Sequence, residues 1–366
     1  MSKFKVIQLL PELNIGGVER GTKDFSKVLV DRGHDSLVIS NGGVFEKDII
    51  EDGGKHINLP IHKKSLFSIR YASDLRDIYL SEKPDIVHVR SRMPAWINYF
   101  AYKKLSHKPL LVSTFHGLYS TPLYSQVMSK VDHIIAISKT VKDYIQGTYK
   151  VPNEKITVIP RGCDPEIFNK NPVEESWIKK WYEEFPQTQD KIILTMPTRI
   201  SKWKGVDSFI DLVNLLDDDN YHALIVGPTA KSKKSYLKQL QNKISNYGIE
   251  DKITITGSRN DISNIYKISD FVFNLSIKPE PFGRTTIEAI SSGSKVVGWN
   301  HGGTKEILEE LYPDGLVELD NIEDLVEKVI NLSNMTNNMP KENTFTSERM
   351  TNQTISLYQD LLAKRL

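Results

Sequence analysis

Phe271-Val-Phe-Asn274, Glu280-Pro-Phe-Gly-Arg-Thr-Thr-Ile-Glu288 and Lys295-Val-Val-Gly298 read, in order, as a buried strand, a loop opening a helix, and a second buried strand. The strands are short, apolar and Val-rich, as parallel strands covered on both faces are. A helix between such strands makes a βαβ unit. Working outward, the same rhythm continues through Lys191–Met196, Ala223–Val226 and Ile253–Thr256, with helical patterns at Gly205–Leu216, Tyr236–Tyr247 and Thr285–Ser292. An earlier series precedes it: Lys5–Leu10, Asp35–Ile39, Ile86–Val89, Leu110–Thr114, His133–Ile137 and Ile156–Ile159, with helical patterns at Glu19–Arg32 and Ser68–Ser81. Asp164–Asp190 interrupts the rhythm, being polar, aromatic-rich and helical. We therefore expect an α/β fold of two tandem Rossmann-like, doubly wound domains, residues 1–168 and 169–349. The natural ligand site of such a pair is an interdomain cleft. An amphipathic helix at about 350–366 is expected to pack back on the first domain.

Composition narrows the class. The 366 residues are 39% hydrophobic and 26% charged, an ordinary globular balance. A single cysteine, Cys163, excludes an internal disulfide and any multi-cysteine metal site. No run approaches the ~18 apolar residues of a membrane span. The opening Met1–Pro11 is too short and interrupted for a secretion signal and reads as a first strand. A cytoplasmic protein is expected, peripheral on the cytoplasmic face of the membrane if it meets one. Residues 1–160 hold 23 Lys and Arg against 16 Asp and Glu, so that half is +7 within a chain of net +2. Such asymmetry points to an anionic partner for the first half or, equally, to scattered solubilising lysines. Lys63-Lys64-Ser-Leu-Phe-Ser-Ile-Arg70 and Lys103-Lys104 mix cations with apolar side chains, which suits an anionic membrane surface. No nucleic-acid motif accompanies the charge, and nucleic acid is not an expected partner.

Three loops carry chemistry. Gly16-Gly17 follows the first strand and opens a helix, where backbone N–H groups approach a phosphate or where a turn needs positive φ. Its spacing is not G-x-G-x-x-G, which weakens a nicotinamide reading. Met196-Pro-Thr-Arg-Ile-Ser-Lys-Trp-Lys-Gly-Val206 brings Arg199 and Lys204 to the matching place in the second domain; a fork and a point charge converging there suit a diphosphate. In the opening loop, Phe282, Gly283, Arg284 and Thr285 lead into a helix whose start attracts phosphate. Glu288 is placed to accept from ribose hydroxyls and Glu280 from sugar hydroxyls. On the acceptor side, Arg90 and Arg92 close a strand and suit an acceptor carboxylate or phosphate, or a structural salt bridge. Asp217-Asp-Asp219 has the Asp-x-Asp form of metal-dependent sugar transfer, but its setting reads as a solvated helix end; with Arg199 and Lys204 available, no metal site is expected.

At this point the chain resembles the family-4 retaining glycosyltransferases of the GT-B fold, whose bacterial members include lipopolysaccharide and polysaccharide enzymes. Their signature of Glu, seven residues, Glu appears as Glu280-Pro-Phe-Gly-Arg-Thr-Thr-Ile-Glu288. Gly16-Gly17 matches the family's first phosphate loop, and Arg199 with Lys204 its basic pair. Thr114-Phe-His-Gly117 matches the first-domain histidine motif, with His116 at the matching position. Ser291-Ser-Gly293 and His301-Gly-Gly-Thr304 match the glycine segments after the signature. Pro197-Thr-Arg199 departs from the more usual Gly-Arg. The resemblance implies a metal-independent hexosyltransferase taking a nucleotide sugar, UDP- or GDP-linked, to a glycan or glycolipid acceptor, with no further cofactor. It implies that His116 meets the donor sugar, Glu280 the sugar hydroxyls, Glu288 the ribose, and Arg199 and Lys204 the diphosphate. A sugar-nucleotide 2-epimerase and a non-catalytic nucleotide- or glycan-binding protein remain as alternatives.

Overall fold

The computed structural model describes residues 3–14, 16–335 and 337–365. Met1 and Ser2 of the first segment, Ile15 of the glycine turn and Leu366 of the tail lie outside the described residues. Contacts divide the chain into two compact units, Met1–Pro160 with Met350–Leu366, and Arg161–Arg349.

Unit 1 alternates strand and helix. Its elements are β1 (Lys5–Leu9), α1 (Gly17–Asp31), β2 (Asp35–Ser40), α2 (Glu46–Glu51), β3 (Lys55–Asn58), α3 (Tyr71–Glu82), β4 (Ile86–Val89), α4 (Arg92–Lys103), β5 (Leu110–Phe115), α5 (Pro122–Ser125), β6 (His133–Ala136), α6 (Lys139–Tyr149) and β7 (Ile156–Val158). The strands form one parallel sheet in the order β3-β2-β1-β4-β5-β6-β7. All residues of β4 and β5 are buried, which their continuous apolar runs demand. β3, Lys-His-Ile-Asn, went unseen in the sequence because an edge strand covered on one side needs no apolar run.

Unit 2 runs α7 (Glu175–Glu184), β8 (Ile192–Pro197), α8 (Val206–Leu216), β9 (Tyr221–Val226), α9 (Lys234–Tyr247), β10 (Ile253–Gly257), α10 (Ile262–Lys267), β11 (Phe271–Asn274), α11 (Arg284–Ser291), β12 (Lys295–Trp299), α12 (Gly302–Leu311), β13 (Leu316–Val317) and α13 (Ile322–Ser333). Its parallel sheet has the order β10-β9-β8-β11-β12-β13. The Asp217–Asp219 stretch follows the end of α8, where Lys252 pairs with Asp217 and, at 2.9 Å, with Asp219.

The division falls after Pro160 rather than after residue 168, because the chain beyond it is already tied into unit 2. Cys163 bridges to Thr346, and its Sγ lies 3.1 Å from Ser291 Oγ on α11. The last helix, α14 (Ser347–Ala363), supplies Ile355 and Tyr358 to the core of unit 1, among Phe4, Val6, Phe25 and Val112. Burying two such side chains is worth about 1.5–3 kcal/mol each. Tyr358 also fixes the helix by a polar contact, its hydroxyl lying 2.6 Å from His88 Nδ1, while Nε2 of that ring lies 2.6 Å from Thr114 Oγ1. Burial holds His88 well below its ordinary pKa, so the ring is neutral in this contact.

Candidate active site

Winding in the unit 2 sheet reverses between β8 and β11, and ligands in open parallel sheets bind beyond the carboxyl ends of strands at such a point. The loops leaving those two ends carry Arg199, Lys204, Glu280 and Gly283. They are fastened to each other. The Ile277 N–H donates to the Trp203 carbonyl at 2.9 Å. Gly205 has φ +77°, and a Cβ there would stand 1.8 Å from the Leu275 carbonyl oxygen, so only glycine permits this approach.

Lys204 and Glu280 meet in this join. Lys204 Nζ pairs with Glu280 Oε1, which also accepts from Ser276 Oγ at 2.6 Å. The ammonium sits 4.3 Å from the centroid of the Trp203 ring. Both side chains are largely buried, so their charges act in a weakly screened setting. Glu280 Oε2 carries no hydrogen bond among the described residues. From below, α12 braces the loop: the Gly303 N–H donates to the Glu280 carbonyl at 2.7 Å, and His301 Nε2–H donates to the Ser276 carbonyl at 2.6 Å. A Cβ on Gly303 would meet the Phe282 backbone at 2.4 Å.

Gly283 turns the chain into α11 at φ +100°. Glu288 is buried one turn in, its Oε1 taking Arg284 Nη2 at 2.8 Å and its Oε2 the Tyr266 hydroxyl at 3.4 Å. Burial and the neighbouring Glu288 carboxylate push the Tyr266 hydroxyl well above its ordinary pKa, which keeps it a donor. Beside Gly283 lies the Thr304 hydroxyl, buried and without a hydrogen-bond partner among the described residues. The start of α11 thus combines helix-terminal N–H groups, the Arg284 cation and a spare hydroxyl, a set fitted to phosphate.

Other residues singled out in the sequence fall elsewhere. Arg199 is exposed just past β8, with no side-chain bond to the Lys204–Glu280 pair among the described residues. Thr285 occupies the first turn of α11. The Phe282 ring is buried against Phe345 at 5.9 Å, so its side chain serves packing and only its backbone is left for a donor contact. In unit 1, Gly16 caps α1 in an extended conformation (φ −177°) and Gly17 begins the helix; positive φ is not what these glycines supply. His116 follows β5 directly and is partly buried, its N–H donating to the Tyr119 hydroxyl at 3.3 Å. Arg90 corrects the acceptor expectation. Its guanidinium is buried, donates from Nε to Gln8 Oε1 at 2.9 Å and lies 5.6 Å from the Phe25 ring; burial pulls its pKa down to about 10. Arg92 starts α4, half-buried, bonded to Thr121 at 3.0 Å and lying over the Tyr119 ring at 4.8 Å. Neither arginine makes a salt bridge among the described residues. The sequence reading missed Ser276, Trp203 and Tyr266 as partners of the acids and of Lys204; Trp203 stood inside the quoted Met196–Val206 stretch and Ser276 four residues ahead of Glu280, whereas nothing local to Tyr266 signals its role.

Comparison with known proteins identifies the fold and the family. Residues 15–167 match the model of Glycosyltransferase Family 4, and residues 178–347 that of Glycosyl transferases group 1. A glycosyltransferase structure from Rickettsia africae is 30% identical, covers 99% of each chain and superposes with a TM-score of 0.86. The Anabaena protein HepE, solved with UDP and glucose, shares the fold at 20% identity and a TM-score of 0.77, covering 98% of this chain and all of its own. A component of the human phosphatidylinositol N-acetylglucosaminyltransferase is 25% identical over 81% of this chain, which spans 62% of that protein's length. With its switch-point site in unit 2 and these matches to both units, the chain belongs to the family-4, group 1 glycosyltransferases of the GT-B fold.

Proposed function

We propose that this glycosyltransferase moves a sugar from a nucleoside-diphosphate donor to a hydroxyl of a glycan or glycolipid acceptor, with retention of configuration, in the building of lipopolysaccharide or another cell-surface polysaccharide. The observation that carries the donor reading is the fastening of Lys204 to Glu280 beside the start of α11. Sugar transfer places developing charge on the departing diphosphate, and preorganised donors aimed at that charge supply the largest part of such catalysis. Lys204, Arg199 and the start of α11, with Arg284, take this role. They stand in for a metal, and activity is expected to survive a chelator. Glu280 serves twice: Oε1 fixes the ammonium, and Oε2 accepts from a sugar hydroxyl. Glu288, held between Arg284 and Tyr266, accepts from the ribose. The assignment of His116 to the donor sugar rests on its motif. Arg92 is the remaining candidate for acceptor recognition, and the basic face of unit 1 for contact with an anionic membrane surface. UDP or GDP is the expected nucleotide, in line with the UDP bound by HepE.

Thermal-shift screening with UDP, GDP, ADP and their sugars tests the reading. A ligand at 100 times its dissociation constant adds about 2.7 kcal/mol of stability. Stabilisation by one nucleoside diphosphate, lost in Lys204→Met, supports it; no response to any of them overturns it. Release of nucleoside diphosphate only when acceptor is added separates transfer from epimerisation and from binding alone.

A further inference from the structure

A recess of about 220 Å³ opens in unit 1 under α4, lined by Tyr99, Tyr102, Lys103, Lys108 and Lys130 over an apolar floor that includes Leu111 and Val127. Its charged lining is entirely cationic. Two of the lysines converge on one ring, Lys103 Nζ at 4.7 Å and Lys130 Nζ at 5.2 Å from the centroid of Tyr99, and Lys108 Nζ lies 5.6 Å from that of Tyr102. None of the three makes a salt bridge among the described residues. The adjacent acid is already engaged: Asp132 Oδ2 accepts the Leu111 N–H at 2.8 Å and Arg365 Nη2 at 3.2 Å. Two other polar groups of the lining are engaged, the Tyr102 hydroxyl donating to the Pro109 carbonyl and Asn98 Oδ1 accepting from Tyr79. Lys103, with Lys130 adding to it, holds the Tyr99 hydroxyl below its ordinary pKa.

Like charges gathered around one small opening repel unless an anion joins them. The volume is below the ~300–1,000 Å³ of a drug-sized site, so it suits a single oxyanion group rather than a nucleotide. The place is also separate from the residues assigned to transfer. Lys103, Lys108 and Lys130 belong to the end of the layer where β5 and β6 begin; Arg92 and His116 belong to the end where β4 and β5 stop. We propose that this recess is a binding site for a phosphate group, supplied either by a lipid headgroup or by a soluble phosphate. Two exposed apolar side chains flank α4: Leu123 on α5, next to the Tyr124 carbonyl that takes Trp96 Nε1–H, and Phe67 in the turn Leu66–Arg70 that packs on α4.

The site deepens the membrane-surface part of the functional reading and rests on none of its donor chemistry. Its test uses the full chain and the double variant K103Q/K130Q, with K231Q/K233Q as a control that removes equal charge from unit 2. One arm measures binding of inorganic phosphate and glycerol 3-phosphate by calorimetry. The other measures co-flotation with vesicles of equal parts phosphatidylcholine and phosphatidic acid, against phosphatidylcholine alone. We expect binding in at least one arm, weakened about tenfold or more in K103Q/K130Q and unchanged in the control. Flotation without soluble binding identifies a headgroup as the source; soluble binding alone identifies free phosphate. No binding in either arm, or equal losses in both double variants, overturns the proposal. Stabilisation by UDP or GDP, read on the same samples, reports on the donor site separately.

Discussion

Replacing Glu280 by alanine should damage stability and turnover together, because one carboxylate serves both. The substitution strands the Lys204 ammonium and the Ser276 hydroxyl in a largely buried join. Removing one partner of a fully buried ion pair costs about 3–5 kcal/mol. Lys204 keeps 19% of its side-chain exposure, and Glu280 kept 11%, so water reaches the orphaned groups and lowers the cost. We expect about 2–3 kcal/mol, which for a domain of this size lowers the melting temperature by roughly 4–12 °C. Glu280→Gln keeps an acceptor for both partners and should lose about half as much. Turnover should fall by about 10²–10³ in either variant, since a misplaced or unbalanced Lys204 no longer meets the leaving diphosphate. The assay is initial rate with saturating donor, alongside thermal melting, for Glu280→Ala, Glu280→Gln, Lys204→Met and the double variant Glu280→Ala/Lys204→Met. The two positions should couple by about 1 kcal/mol or more. Additive losses, or a kcat within about threefold of wild type in Glu280→Ala, would refute the reasoning.

Three further outcomes follow from the packing. Gly303→Ala places a methyl against the Phe282 backbone and should cost about 1–3 kcal/mol, with a lowered kcat; a melt and rate unchanged from wild type would show that α12 does not brace the loop. Tyr358→Phe removes one partner of the buried His88 and should cost about 1–2 kcal/mol in denaturant unfolding, leaving the nucleotide response intact. His222 is buried beside Thr254, and burial, with Lys191 adding to it, lowers its pKa to about 4. An unfolded histidine takes its proton near 6.5, so below about pH 6.5 the unfolded chain binds more protons and stability falls as pH drops toward about 4. Unfolding measured at about pH 7 and about pH 5 should show this loss reduced in His222→Gln; identical pH slopes would count against it.

The sheet strands were largely legible because each carries its own signal: Phe271–Asn274 and Ile86–Val89 are apolar on both faces and are bounded in the structure as they were in the sequence. β3 and β13 were not, since a short edge strand needs little apolar character. The site was legible as motifs and not as partnerships. Lys204 and Glu280 were assigned to diphosphate and sugar hydroxyls separately; that they bind each other depends on a loop join set by Gly205 and the Trp203 carbonyl. Phe282 stood inside the signature and was counted with the ligand residues, yet its conformation serves the Phe345 contact. Arg90 shows the converse limit: strand-end position alone does not say whether a cation faces solvent or turns under α1, and here Gln8 draws it inward.

The divided sequence of unit 1 has a consequence for synthesis. Its sheet is complete once β7 has emerged, yet Ile355 and Tyr358 of its core are encoded after the whole of Arg161–Arg349. On the ribosome, Phe4, Phe25 and His88 must therefore wait, incompletely covered, while unit 2 is made and is free to fold first. Nascent chains halted before α14 should show a protease-resistant unit 2 beside a unit 1 that still opens. The residues translated first are then among the last to become secure.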